Sequence, residues 1–293
     1  MLKINKYSLI KNAAVLGVAS LSLSLIATSS SFSDGHIYGE NNPVTVKGYK
    51  GSKTDSTAYT GQMARQLQHN SLKKIVSKGN PSDPTSNTLN KMLNYFENKD
   101  KTKSMAILDP KSSSKFPVKQ KMVGEISTGS NLAGKADKRP QLSWPNNMSG
   151  ADVIRFMIKK ASKISGGVDM KNGMNYPQLI SKYTMGAVLY HQACDNYLDE
   201  KMTASNKPND KPYKKGAYYT GKEHSWDEAF GYWGAAAHTM TLSAQQSYDV
   251  AKKKDLKAAD FNKDGVVDLY KEMTYGHAYY ASAFDRGGKT DYL

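Results

Sequence analysis

Apolar residues recur at helical spacing along most of this chain, and glycine and proline mark the gaps between those runs. Met63, Leu67, Leu72, Ile75 and Val76 predict a first helix from about Thr60, stopped by Gly79-Asn80-Pro81. Leu89, Met92, Leu93 and Phe96 predict a second over Ser86 to Glu97, with Ser86 placed to cap its first turn, so the two read as a hairpin. Val153, Ile154, Met157, Ile158 and Ala161 form a stripe that starts near Ser149 and ends at Gly166-Gly167. Pro177 then opens a helix to about Met202. A further helix is expected from Trp226 to about Lys254. Between these runs, residues 98–148 are lysine-rich and broken by Pro110, Pro117, Pro140 and Pro145, which predicts an irregular insert with short helical pieces. No strand pattern competes. The expected class is mainly α: one helical-bundle-like domain over 56–293, preceded by a flexible leader over 34–55.

The longest apolar stretch lies at the N-terminus and has a different meaning. Lys3, Lys6 and Lys11 precede an apolar run from Ala13 to Ala27, and small residues follow from Thr28 to Ser33. These are the three parts of a cleavable secretory signal over 1–33. No later stretch approaches the roughly 20 apolar residues of a membrane-spanning helix, so no transmembrane anchor is expected. The one cysteine, Cys194, is far from the cleavage zone, so no lipid-attachment cysteine is present. The expected product is soluble and exported, periplasmic or secreted.

Charge changes the picture only in part. The formal net charge is +15, and loss of the signal removes three lysines and no acids, leaving +12. Lysine outnumbers arginine 37 to 4 and is scattered, the densest groups being Lys73-Lys74, Lys159-Lys160 and Lys252-Lys253-Lys254. Without neighbouring arginine forks to grip phosphate in a bidentate way, specific nucleic-acid binding is not expected. A weak, salt-sensitive attraction to anionic cell-surface polymers is. A lone cysteine in an oxidising compartment makes no internal disulfide, so packing, with or without a metal, must hold the fold.

Chemistry concentrates in two places. In the run from Glu223 to Gly234, Ser225 followed by Glu228 has the spacing of a capping box, which would start the helix at Trp226. Trp226, Phe230 and Trp233 then share a face expected to bury. Asp227, Gly231, Gly234 and His238 share an adjoining one, where the glycines admit close approach of another helix. Asp227 and His238 are eleven residues apart, about 16 Å along a helix, so they cannot ligate one ion there. Any metal site on this segment would be composite, drawn from Glu223, His224, Asp227, His238 and His277.

That run, preceded by Tyr176, Gln178, Lys182, Met185-Gly186-Ala187, Tyr190 and Gln192, resembles the bacterial domain-of-unknown-function family 4856. Tyr59-Thr60-Gly61-Gln62 with Arg65 is similar to the family's opening motif. The resemblance spans about Thr57 to the end, with Trp226 to Tyr232 its most specific part. It implies an exported, all-helical domain whose relatives usually continue with further helices, so that the chain ending at Leu293 is expected to be truncated relative to the family, and it implies no activity.

The second place is Asp260 to Asp268. Oxygen side chains fall at positions 1, 3, 5 and 9 of a calcium-loop pattern (Asp260, Asn262, Asp264, Asp268), Gly265 stands at the turn position, and Val266 offers its carbonyl at position 7. Lys271 occupies position 12, where a bidentate carboxylate is usual, but Glu272 follows, and the family resemblance supports a glutamate there. An EF-hand-like calcium loop over 260–272 is therefore expected, with modest affinity.

His191, Cys194 and Asp195 have ligand-like spacing, yet aromatic and small residues surround them, and they read as core. His277 reads as packing. No metalloprotease, nucleophile-elbow or phosphate-loop motif occurs. The chain thus reads as a non-enzymatic exported binding or structural module with one calcium site. The alternative is a metal-dependent enzyme or a transition-metal or haem-handling protein of the cell envelope.

Overall fold

A computed structural model describes residues 37–40, 42–83, 87–98 and 104–293; the segment expected to be a secretory signal, 1–33, lies outside the described residues. The order of elements is α1 (Thr60–Val76), α2 (Asn87–Glu97), α3 (Gly150–Ser162), a two-residue hairpin of β1 (Val168–Asp169) and β2 (Met174–Asn175), α4 (Tyr176–Thr184) running on into a π-helical stretch (Met185–Lys201), α5 (Gly221–Trp233), α6 (Ala244–Ala251), α7 (Leu256–Ala259) and α8 (Gly276–Asp285). The fold is mainly helical, as the apolar spacing predicts. Among the described residues no helix is long and apolar enough to cross a membrane.

Local chemistry sets most of the boundaries. Ser149 caps α3 in a reciprocal box with Asp152, and Asn175 caps α4 by accepting from the Gln178 amide. The Ser86 cap proposed for α2 lies outside the described residues.

α1 is the organising element because it takes part in two cores. Its C-terminal half, through Leu72 and Val76, packs with Met92 and Phe96 of α2, Ile154 and Ile158 of α3, Ile180 of α4, and Tyr197 and Tyr232. Its N-terminal half, through Met63 and Leu67, packs with Met105, Ile107, Phe116, Val118 and Val123 of the middle segment and with Val267, Leu269, Met273 and Tyr275. The irregular segment is therefore a wall of the second core. Its described residues include short 3-10 turns at Val123–Glu125, Ala133–Lys135 and Pro145–Asn147, and Val118 pairs in parallel with Val267.

Three expectations need correction. α5 begins at Gly221, because Thr220 and Glu223 form the capping box five residues upstream of the expected one; the Ser225 hydroxyl donates instead to the Gly221 carbonyl within the helix. α5 also stops at Gly234, whose φ of +88° is a left-handed terminus natural to glycine, rather than continuing to Lys254. Finally, the buried side of α5 carries Asp227, Gly231 and Tyr232, while Trp226 is 53% exposed and Phe230 and Trp233 are half-buried. The close approach expected of the glycines is present: a Cβ on Gly231 would lie 2.5 Å from the Gln62 Cβ and 3.0 Å from the Tyr59 carbonyl oxygen.

The stretch expected to be a flexible leader is tied down over its described residues. Tyr38 stacks on Phe230 with ring centroids 3.7 Å apart, and its amide donates to the Ala237 carbonyl.

Candidate functional site

The acidic loop after α7 is folded by its own side chains. Both Asp260 oxygens accept, one from the Asp264 amide at 3.1 Å and the other from the Gly265 amide at 3.0 Å. The Asn262 side chain also accepts from the Asp264 amide, and Asp264 accepts from the Val266 amide. Lys263 and Gly265 take positive φ of +59° and +84°, which turns the loop sharply. Glu272, only 5% exposed, reaches back across the loop: one oxygen accepts from the Asp268 amide at 2.7 Å and the other from the Asn262 amide at 3.3 Å. Burial raises its pKa above the ordinary carboxylate value against the pull of those two amides, and the charges of Asp268 and Asp260 add to the rise.

Asp268 is held from the middle segment. Gln120 donates to it at 2.8 Å, and the Lys119 ammonium lies 3.6 Å away. Lys271, at position 12, is exposed and its ammonium lies 5.3 Å from the Tyr270 ring centre. No helix follows the loop directly; a turn over 269–271 and an irregular stretch over 273–275 separate it from α8. Asn262, Asp268 and Glu272 border a cavity of about 280 Å³ that His238 also lines. Among the described residues no group of three or more His, Cys, Asp or Glu side chains is gathered closely enough to hold a metal ion.

The five polar residues of the second cluster have separate partners. Glu223 is the capping carboxylate of α5 and also accepts from the Thr45 hydroxyl. His224 packs between Tyr213 and Tyr219, with ring centroids 4.6 and 4.7 Å away, and its Nε2 lies 3.6 Å from Glu228. Asp227, 3% exposed, accepts from the Tyr38 hydroxyl and from the Ala58 amide. Burial lifts its pKa to about 7 even though both hydrogen bonds favour the carboxylate. His238 donates through Nε2 to the Ala258 carbonyl at 2.9 Å, and His277 through Nε2 to the Met185 carbonyl at 3.2 Å. Burial lowers the pKa of His224, His238 and His277. Cys194 packs on the first core, whereas His191 and Asp195, expected in the core with it, form a pair at 3.1 Å in which Asp195 also receives Arg139 at 2.8 Å.

Between α1 and α5 lies a polar seam that apolar periodicity does not reveal. Gln62 donates to Glu228 at 2.6 Å, and the Gln66 amide nitrogen donates to the carbonyls of Gly231 and Tyr232. Arg65 donates to the Gly61 and Gly129 carbonyls and lies 5.9 Å from the Tyr232 ring centre. The phenols of Tyr197 and Tyr232 are pushed up by burial, so both stay protonated. Nothing in the sequence distinguishes Gln62, Arg65 and Gln66 from a solvent-facing stripe, so the seam emerges only from the fold.

The profile of the family described as "Domain of unknown function (DUF4856)" matches residues 41–276, and that span contains α1 through α7, the seam and the acidic loop. The chain belongs to this family. DUF4856 carries no defined activity in that description, and no curated protein and no solved structure matches the chain. The DUF4856 segment therefore has to be interpreted from its own chemistry.

Proposed function

We propose that this protein is an exported, non-enzymatic helical binding module that holds one calcium ion in the loop over 260–272. The observation that carries the reading is Glu272: a buried carboxylate that closes the loop from position 13 and sits among the Asp260 and Asp268 charges with only backbone amides for partners. Carboxylate and carbonyl oxygens in a tight, glycine-turned loop are the hard donors calcium takes, and a divalent cation would offset the burial, and the smaller effect of the Asp268 and Asp260 charges, that raise the Glu272 pKa. Asp260, Asn262, Asp264, the Val266 carbonyl, Asp268 and Glu272 are the proposed donors, with Asp268 acting through water because Gln120 holds one of its oxygens. Only the four-residue α7 precedes the loop and no helix follows it directly, so affinity belongs with the weak extracellular modules, with Kd on the order of 10⁻⁴ to 10⁻³ M. Export would place the protein where calcium reaches that range. The enzymatic or haem-handling alternative finds no support in the geometry, since Glu223, His224, Asp227, His238 and His277 each face a different partner.

Calcium at about ten times Kd stabilises by about 1.4 kcal/mol. For a domain of this size that is a rise of roughly 3–6 °C in Tm. Asp264→Ala, in an exposed part of the loop, is expected to remove the rise without changing the melting temperature in chelator by more than about 1 °C. Superimposable wild-type melting curves in calcium and in chelator would refute the proposal.

A further inference from the structure

A cleft of about 320 Å³, which shares no residue with the calcium loop, lies beside the start of α5 and is walled also by the segment after Tyr38, by Met202 and by Asn209. Its volume falls at the lower end of the ~300–1,000 Å³ range of small-molecule sites. Trp226 belongs to its wall and is 53% exposed, although its place on an apolar stripe predicts burial. It is the one aromatic residue of that wall among the described residues, and Pro43 and Met202 add apolar surface. The indole stacks on no other described ring, and its N–H donates to no described residue.

The charged groups of the wall are already engaged by neutral partners. Lys222 donates to the carbonyls of Met202 and Ala204, and Glu223 accepts from the Thr45 hydroxyl and the Thr220 amide. Both Asp227 oxygens accept, one from the Tyr38 hydroxyl and the other from the Ala58 amide. The cleft therefore offers a ligand ion neither a bare cation nor a bare carboxylate. What it leaves open is neutral. The Asn42 side chain makes no hydrogen bond among the described residues. Asn209 accepts from the Thr220 hydroxyl at 2.6 Å, which fixes its amide and leaves the nitrogen to donate. Thr45 gives its one hydroxyl proton to Glu223 at 2.8 Å and keeps lone pairs with which to accept.

We infer that this cleft binds a neutral sugar, with one face of a pyranose ring packed on the Trp226 indole and the ring hydroxyls bonded to Asn42, Thr45 and Asn209. The C–H face of a pyranose is apolar, and its hydrogens meet the negative π-face of the indole. Each sugar hydroxyl both donates and accepts, which suits a wall of amides and hydroxyls. An aromatic base would bring few edge groups to those partners, and an organic cation would call for an unengaged carboxylate or a cage of several aromatics. The inference gives the binding module a ligand class and is independent of calcium.

The test is saturation-transfer NMR and tryptophan-fluorescence titration of the full chain in chelator, which keeps the calcium loop out of the measurement. The probes are the methyl pyranosides of glucose, galactose and mannose, and N-acetylglucosamine, with tetramethylammonium and adenine as competing classes. At least one sugar is expected to bind with a millimolar Kd, as its small number of heavy atoms dictates, and with the strongest transfer to ring C–H protons. Trp226→Ala, at an exposed position, is expected to weaken that sugar at least about tenfold while keeping Tm within about 2 °C. Asn209→Asp keeps the acceptor for Thr220 but removes the donor, and is expected to weaken the sugar about threefold. No binding of any of the sugars, tighter binding of tetramethylammonium or adenine than of every sugar, or sugar affinity unchanged in either variant would overturn the inference.

Discussion

Gly231→Ala is expected to lower the stability of this domain by about 3 kcal/mol, or roughly 6–12 °C in Tm. The added methyl would sit 2.5 Å from the Gln62 Cβ and 3.0 Å from the Tyr59 carbonyl oxygen, at the closest approach of α5 to α1. Neither contact is with the free end of a flexible side chain, so the helices must separate. Separation would stretch the Gln62 to Glu228 bond and those from Gln66 to the Gly231 and Tyr232 carbonyls. Gly186→Ala provides the comparison. Nothing lies within 4 Å of a Cβ there, and alanine in a helical position is expected to be neutral or to stabilise by up to about 1 kcal/mol. Thermal melts of the two variants beside wild type decide the point; equal effects would show that α1 and α5 are not closely packed at Gly231.

Asp227→Asn is expected to be stabilising, and increasingly so as pH rises. A carboxyl raised in the folded state to about 7 contributes stability that is fully present below its unfolded value and lost as pH rises through 7. Asparagine keeps an acceptor for the Ala58 amide, and the Tyr38 hydroxyl can turn to accept from its side-chain amide. At about 1.4 kcal/mol per pKa unit, the stability gap between variant and wild type should widen by about 3 kcal/mol between pH 5 and pH 8. The buried His69, His224, His238 and His277 have lowered values and act in the opposite direction over that range, but equally in both proteins. Urea unfolding at the two pH values measures the gap; a pH-independent difference would mean that Asp227 does not titrate in this window.

What the sequence revealed depended on how local each determinant is. α1, α3 and α4 were legible because their apolar residues repeat at helical spacing and their stops or caps lie within a few residues. α5 was misplaced because two Ser/Thr-x-x-Glu boxes follow one another there, Thr220 with Glu223 and Ser225 with Glu228, and the helix starts at the first. Its end was overrun because Ala235, Ala236 and Ala237 continue an apolar pattern after the glycine that terminates the helix. The burial of Gln62, Arg65 and Gln66 was invisible, since such residues on a helix normally mark the solvent face. The docking of Tyr38 onto Phe230 was hidden for a different reason: its partner is nearly two hundred residues away. The acidic loop was legible as a pattern because its donors are contiguous, whereas the dispersal of Glu223, His224, Asp227, His238 and His277 could emerge only from the fold.

Calcium binding is the central claim, and direct titration of the purified chain with calcium after exhaustive chelation tests it most directly. One ion per chain is expected, with Kd on the order of 10⁻⁴ to 10⁻³ M and no binding to Asp264→Ala. Absence of heat or of bound calcium at millimolar concentration, or a stoichiometry unchanged in Asp264→Ala, would contradict it.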